Sequence, residues 1–322
     1  MHRKLILHIG FPKTGSSTLQ AHLCNQPELK SETSVFKYHV VKEGGIVTGA
    51  SLKRQAGFRP WKHLSSPATL IEALTVFDAH FDPRDYGTCT PILSQENWGN
   101  QIAELGNLPD ALLKDVDIEV IVFVRPQVEW LQSAWWQWYA WMKESRTVEH
   151  VWTRIKKKQS IDWEFQLSKL ESSQKITRIH VCLFDKGHDV VSRVRSCLNV
   201  PAAQNAGPVK RRRNESITRL HVYLYRKFPW LRPVHDGRFD TLIHALPIRK
   251  QKAPWIISPA LAEDIVTTLH DSNIRLTRRL SHDDRQQMLD NPVWWYSSPA
   301  KAITVDNKAL SQQNVSSQPK MG

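Results

Sequence analysis

The 322-residue sequence has only four cysteines, and no two of them form a C-x-x-C pair. Cys24, Cys89, Cys182 and Cys197 stand far apart without pairing rhythm, which argues against a zinc or redox motif and predicts reduced thiols. Long apolar runs are missing too. Leu5 to Ile9 is too short for the core of a signal peptide, and no stretch is long enough to cross a bilayer. The expectation is a cytoplasmic protein with an acceptor made or held there. There is no internal repeat. Acidic residues are the minority, 31 against 44 basic ones, for a formal net charge of +13. A field of that sign draws anions over a distance: nucleic acid, an anionic membrane face, acidic glycans or nucleotides. It does not choose among them.

What is present is ordinary globular material, 41% hydrophobic and 23% charged, long enough to bury a large core. Strand and helix patterns alternate. Lys4–Ile9 reads as a buried strand, Gly10–Gly15 as a loop and Ser16–Leu23 as a helix. Residues 42–66 read as irregular and basic. Helices are expected over Pro67–Phe81, Ile102–Leu113, Val128 to about Met142, Ser160–Ser172, Val190–Leu198, Ile217–Phe228 and Pro259–His270. Strands are expected over Thr90–Ser94, Glu119–Val124 and Arg178–Phe184. This alternation predicts an α/β fold, a central parallel sheet flanked by helices. One domain is expected over residues 1–296, then a polar, disordered tail over 297–322. Of the 13 tryptophans, several between Trp130 and Trp141 lie three or four apart and are expected mostly in the core.

The sharpest signal is LILHIGFPKTGSSTLQ. A strand runs into a glycine-bearing turn that opens a helix, so backbone N–H groups and the positive helix end converge on one point suited to phosphate. Lys13 adds a mobile charge; Ser16, Ser17 and Thr18 add hydroxyls. Gly10 and Gly15 have the spacing of the triphosphatase loop G-x-x-x-x-G-K-[ST], but Ser16 stands where that loop needs lysine. Kinase chemistry with a magnesium clamp is therefore disfavoured, while a phosphate loop is not. The bland reading is a strand–helix turn with a serine cap. A second segment, VIVFVRPQVEWLQSAWWQWY, places Arg125 at a strand end and Ser133 eight residues on.

His8-Ile9-Gly10-Phe11-Pro12-Lys13-Thr14-Gly15-Ser16-Ser17-Thr18 resembles the 5′-phosphosulfate-binding loop of the sulfotransferases that use 3′-phosphoadenosine 5′-phosphosulfate (PAPS), in the bacterial form H-I-G-x-x-K-T-G-[ST]-[ST]-[ST]. The resemblance implies the phosphate-loop sulfotransferase fold and PAPS as donor, with no metal. It implies that Lys13 touches the sulfate and bridging oxygen, and that Thr14, Gly15, Ser16, Ser17 and Thr18 hold the 5′-phosphate. Arg125 and Ser133 are similar to the family's 3′-phosphate anchor. Arg213 and Asn214 lie in a run similar to its R-x-N-x-S segment. The element order is similar over residues 4–285, but the sharp motifs occupy only the two anchors.

The implied reaction moves a sulfuryl group onto an acceptor hydroxyl of a carbohydrate or glycolipid. Glu96, after a strand in LSQENW, is similar in context to the S-x-E of bacterial relatives and is the first candidate for the base. His39 and His63 compete with it; His8, in mid-strand, reads as buried structure. Three other readings stay open: a nucleotide or small-molecule kinase with a degenerate loop, a basic nucleic-acid-binding protein without a recognisable module, and an inactive family member.

Overall fold

The computed structural model describes residues 3–42, 44–55, 69–140, 147–184, 189–201, 223–224, 227–228 and 254–295. In chain order the elements are β1 (Arg3–Ile9), α1 (Ser16–Asn25), β2 (Glu28–Lys30), β3 (Val35–Lys42), β4 (Gly45–Thr48), α2 (Ala50–Gln55), α3 (Leu70–His80), β5 (Thr90–Gln95), α4 (Ile102–Gly106), β6 (Val116–Val124), α5 (Gln127–Ala134), α6 (Val148–Lys158), α7 (Trp163–Leu170), β7 (Ile176–Leu183), α8 (Val190–Cys197), α9 (Pro259–Thr277) and α10 (His282–Asp290). They fall into two compact units. One holds residues 1–125, 159–215 and 279–281; the other holds 126–158, 216–278 and 282–322.

The first unit is the expected α/β architecture. Its sheet runs β2-β3-β5-β1-β6-β7, with β4 attached to β3. The pairs β3–β5, β5–β1, β1–β6 and β6–β7 are parallel; β2 and β4 are antiparallel to β3. The central strands are near-continuous apolar runs because both faces are covered. From Leu5 to Leu7 and from Val120 to Val124, no residue has accessible surface. On one face Ile6, Ile121, Phe123 and Cys182 pack with Leu19 and Leu23 of α1 and Val190, Val191 and Val194 of α8. β2, β3 and β5 lie on one side of β1, and β6 and β7 on the other. The connections therefore part at its carboxyl end, where open α/β sheets take ligands.

Three elements depart from expectation. Residues 42–66 are not simply irregular: β4 and α2 occupy part of them, and β4 closes a hairpin on β3. The helix expected over Ile102–Leu113 stops at Gly106. Pro109 has no N–H to continue it, and Leu113 and Asp115 adopt positive φ, 52° and 58°. The helix expected to end at His270 continues to Thr277, because Ile265, Val266, Leu269 and Leu276 keep one face buried. Most of Ile217–Phe228 and the tail lie outside the described residues.

The second unit is helical where described. Its aromatic helix changes from α (Gln127–Ala134) to a wider π turn (Trp135–Tyr139), closed by Ala140 N–H to the Trp135 carbonyl at 2.9 Å. Trp130, Trp135 and Trp136 are buried, as expected of a core face, and Trp138 is half-buried. Gln127 and Asn273 form a buried amide pair at 2.7 Å, joining α5 to α9. No helix among the described residues is long and apolar enough to cross a membrane.

Candidate functional site

The site grows from the carboxyl end of β1. Gly10 N–H donates to the Gln95 carbonyl at 3.1 Å, so the loop leaves the sheet pinned against β5. A side chain at Gly10 would strike Ser16 Oγ and come within 2.8 Å of the Glu96 backbone. One at Gly99 would come within 2.7 Å of the Gly10 carbonyl. Two glycines thus let two loops touch. Lys13 and Gly15 both have positive φ, 72° and 88°. Such reversals turn successive N–H groups to one side, the concavity that holds anions. Gly15 is also packed where no other residue fits: a Cβ there would lie 2.6 Å from Val190 and 2.8 Å from Phe184.

Side chains complete the loop. Thr14, fully buried, donates its hydroxyl to the Phe11 carbonyl at 2.5 Å and shapes the turn from within. Helix α1 starts at Ser16 with Gly15 as a left-handed cap and no side-chain cap, and the Thr18 N–H donates to the Gly15 carbonyl at 2.9 Å. Ser16 Oγ is buried and has no hydrogen-bond partner among the described residues. Ser17 is buried and Thr18 half-buried in the same first turn.

Arg125 leaves β6 one strand away and reaches the loop: its guanidinium donates to the Lys13 carbonyl at 3.1 Å and lies 5.5 Å over the Phe184 ring. The Arg125 carbonyl accepts the Trp163 indole N–H at 2.8 Å, and Trp163 packs on Phe11. Lys13, Thr14, Gly15, Ser16, Ser17, Thr18 and Arg125 therefore come together. Glu96 joins them by its backbone, opening the turn that follows β5, and its residue is partly exposed. Ser133 sits on α5 in the other unit, half-buried. Arg213, Asn214 and His63 lie outside the described residues.

Beside Gln95 a small cavity of about 20 Å³ opens between α1, β3 and β5, lined by Gln20, Tyr38, His39, Ser94, Gln95 and Trp98. Burial lowers the His39 imidazole to about 4, with help from Lys37, so the ring is neutral at pH 7. Neither ring nitrogen of His39, nor the Trp98 indole N–H, has a hydrogen-bond partner among the described residues. His8 faces Ser94 Oγ at 2.7 Å, and burial lowers it to about 3. The sequence pointed to His39 and His8 but not to Gln20 or Trp98. Those two are isolated polar residues whose convergence depends on the sheet.

No family model matches the chain, and no curated protein matches it. A sulfotransferase domain from the curacin biosynthetic pathway is similar in structure at 12% identity and a TM-score of 0.37, over 87% of this chain and 99% of that one.

Proposed function

We propose that the chain is a sulfotransferase that binds PAPS at the Gly10–Thr18 loop and moves its sulfuryl group to an acceptor hydroxyl on a carbohydrate or glycolipid. The observation that carries the reading is the uncapped start of α1: a left-handed glycine, a lysine turned by positive φ, and a buried Ser16 hydroxyl without a partner. A phosphate placed there would accept from the first-turn N–H groups and from Ser16 Oγ. Lysine at position 13, with serine at 16, supports a sulfate ester donor over a magnesium-bound triphosphate.

The roles follow from the chemistry. Ser16, Ser17, Thr18 and the N–H groups of Thr14 and Gly15 hold the 5′-phosphate. Arg125 takes the 3′-phosphate, for which a planar two-pronged donor is suited. The bound donor supplies the sulfuryl group. Lys13 neutralises the leaving phosphate oxygen as the sulfur–oxygen bond breaks. Glu96 takes the acceptor hydroxyl's proton as the new bond forms.

The test is a comparison of nucleotides by calorimetry, followed by donor consumption over a panel of glycans and glycolipids. Adenosine 3′,5′-bisphosphate is expected to bind at least tenfold tighter than AMP. Equal affinities would remove the 3′-phosphate anchor. Magnesium-dependent ATP turnover would favour the kinase reading instead.

A further inference from the structure

A second polar cluster sits on the same sheet and plays no part in the phosphate loop. Lys4, Glu119 and His180 lie on neighbouring parallel strands, on the face covered by α1 and α8. Lys4 Nζ donates to Glu119 Oε1 at 2.6 Å, and Glu119 Oε2 lies 3.1 Å from His180 Nε2. Cys197, in the last turn of α8, lies close enough to the same imidazole to help raise its pKa. Cys182, two residues further along β7, has its sulfur 3.3 Å from that of Cys197. The result is a row running ammonium, carboxylate, imidazole, sulfur, sulfur.

The surroundings make the two cysteines unequal. Hydrogen bonds to Cys197 and then to Glu119 raise His180 to about 9 against the opposing effect of burial. The imidazole therefore carries a proton at pH 7, and an imidazolium beside a thiol favours the thiolate. Arg178 also faces the ring and opposes this. Cys197 is partly exposed, whereas Cys182 is 4% exposed. Elsewhere, burial chiefly pushes the Cys89 thiol upward, and Cys24 is buried in the core.

We propose that Cys197 and Cys182 are a redox-active dithiol that a hydroperoxide converts to a reversible disulfide. The Cys197 thiolate attacks a peroxide oxygen; the oxygen–oxygen bond breaks, and the departing hydroxide takes the His180 proton and leaves as water. Cys197 is now a sulfenic acid. The Cys182 sulfur displaces its hydroxyl, which leaves as a second water with the Cys182 proton. Two thiols and one hydrogen peroxide give one disulfide and two waters. The sulfurs need to close from 3.3 Å to about 2.05 Å, which side-chain rotation can supply. A partly exposed thiol beside an imidazolium and a resolving thiol is the arrangement that senses peroxide. The bond would staple the last turn of α8, about two turns from Val190, to β7.

The test treats the reduced full chain with near-stoichiometric hydrogen peroxide and maps cysteines by differential alkylation and peptide mass spectrometry. The expected product is a Cys182–Cys197 disulfide, reversed by dithiothreitol, with Cys24 and Cys89 still alkylatable. In Cys182→Ser, a sulfenic acid should be trapped at Cys197 by a cyclic 1,3-dione. Without oxidant, Cys197 in the unmodified chain should react with iodoacetamide at pH 7 at least tenfold faster than Cys89. His180→Gln should erase that advantage. Alkylation of Cys197 no faster than Cys89, or peroxide oxidation that starts at Cys24 or Cys89, would overturn the proposal. Both measurements use the parent chain, so a variant that does not fold leaves them intact.

Discussion

Helices α1 and α8 pack side by side on one face of the sheet and begin in opposite ways. At α8 the Asp189 carboxylate accepts from the N–H groups of Val191 and Ser192 at 3.3 and 3.4 Å. At α1 the cap is Gly15, which has no side chain to offer. Helix α7 is closed like α8, by Asp162 accepting from Phe165 N–H at 3.0 Å. A capping carboxylate satisfies helix donors and occupies the place where an anion would sit. Leaving it out costs stability and keeps the donors for a ligand. On the proposed function, the difference separates a helix that only supports the fold from one that also receives a phosphate.

Filling the open end should have the largest effect. Gly15→Ala puts a Cβ in a left-handed backbone, at about 1–2 kcal/mol, and against Val190 and Phe184, where overpacking adds about 1–3 kcal/mol. Chemical denaturation should show that loss together with loss of adenosine 3′,5′-bisphosphate binding. An unchanged midpoint would mean that the loop relaxes and that the left-handed cap is not needed.

Glu96→Gln tests the chemistry at the same end. Donor affinity should stay within a factor of two while turnover falls about a hundredfold, the range for loss of a general base. Parent-like turnover in a folded variant would move the base to His39. Arg125→Ala should weaken donor binding by about 1.5–3 kcal/mol, the usual loss for a charged hydrogen bond. Because its guanidinium also holds the Lys13 carbonyl, the melting temperature of the ligand-free variant should drop as well. Intact affinity would leave Arg125 as a brace for the loop alone.

The far end of α8 titrates in a way that α1 does not. His180 is raised to about 9 from an ordinary 6.5, so its contribution is complete below about pH 6.5 and disappears as pH rises through about 9. Glu119 is lowered to about 2, by His180 first and with Lys4 adding to it, so its contribution is lost as pH falls from about 4.5 toward 2. The melting temperature gap between parent and His180→Asn should narrow from pH 6.5 to 9. A gap independent of pH would place the value of His180 in packing. The smallest effect belongs to the closed cap: Asp189→Ala should cost about 1 kcal/mol of stability and leave donor affinity unchanged. A drop in affinity there would erase the distinction between the two helix starts.

The Gly10–Thr18 loop was legible in sequence because its parts are local. Strand, glycines, lysine and serines fall within eleven consecutive residues, and each acts through its own backbone or a near neighbour. Arg125 was legible for a similar reason: a strand's carboxyl end in a parallel sheet points to the same edge as every other. The helix ends were less so. Gly106 and Thr277 end their helices where Pro109 intervenes or where buried contacts stop, and the second of these depends on packing.

By itself, then, the sequence determined the parallel α/β core, through apolar runs such as Leu5–Ile9 and Val120–Val124 that only a doubly covered sheet can bury. Whether a serine would cap α1 was left open by the sequence; the structure made Gly15 the cap and Ser16 the first helical residue. The tertiary structure alone decided which polar residues meet. Cys182 and Cys197 read as unrelated thiols fifteen positions apart, and His180 and Glu119 as charges on separate strands. Parallel register sets those strands side by side, and the return of α8 along β7 brings the sulfurs to 3.3 Å. The convergence of Gln20, His39 and Trp98 on one cavity has the same origin. Such neighbours come from strand order, which no local pattern of residues encodes.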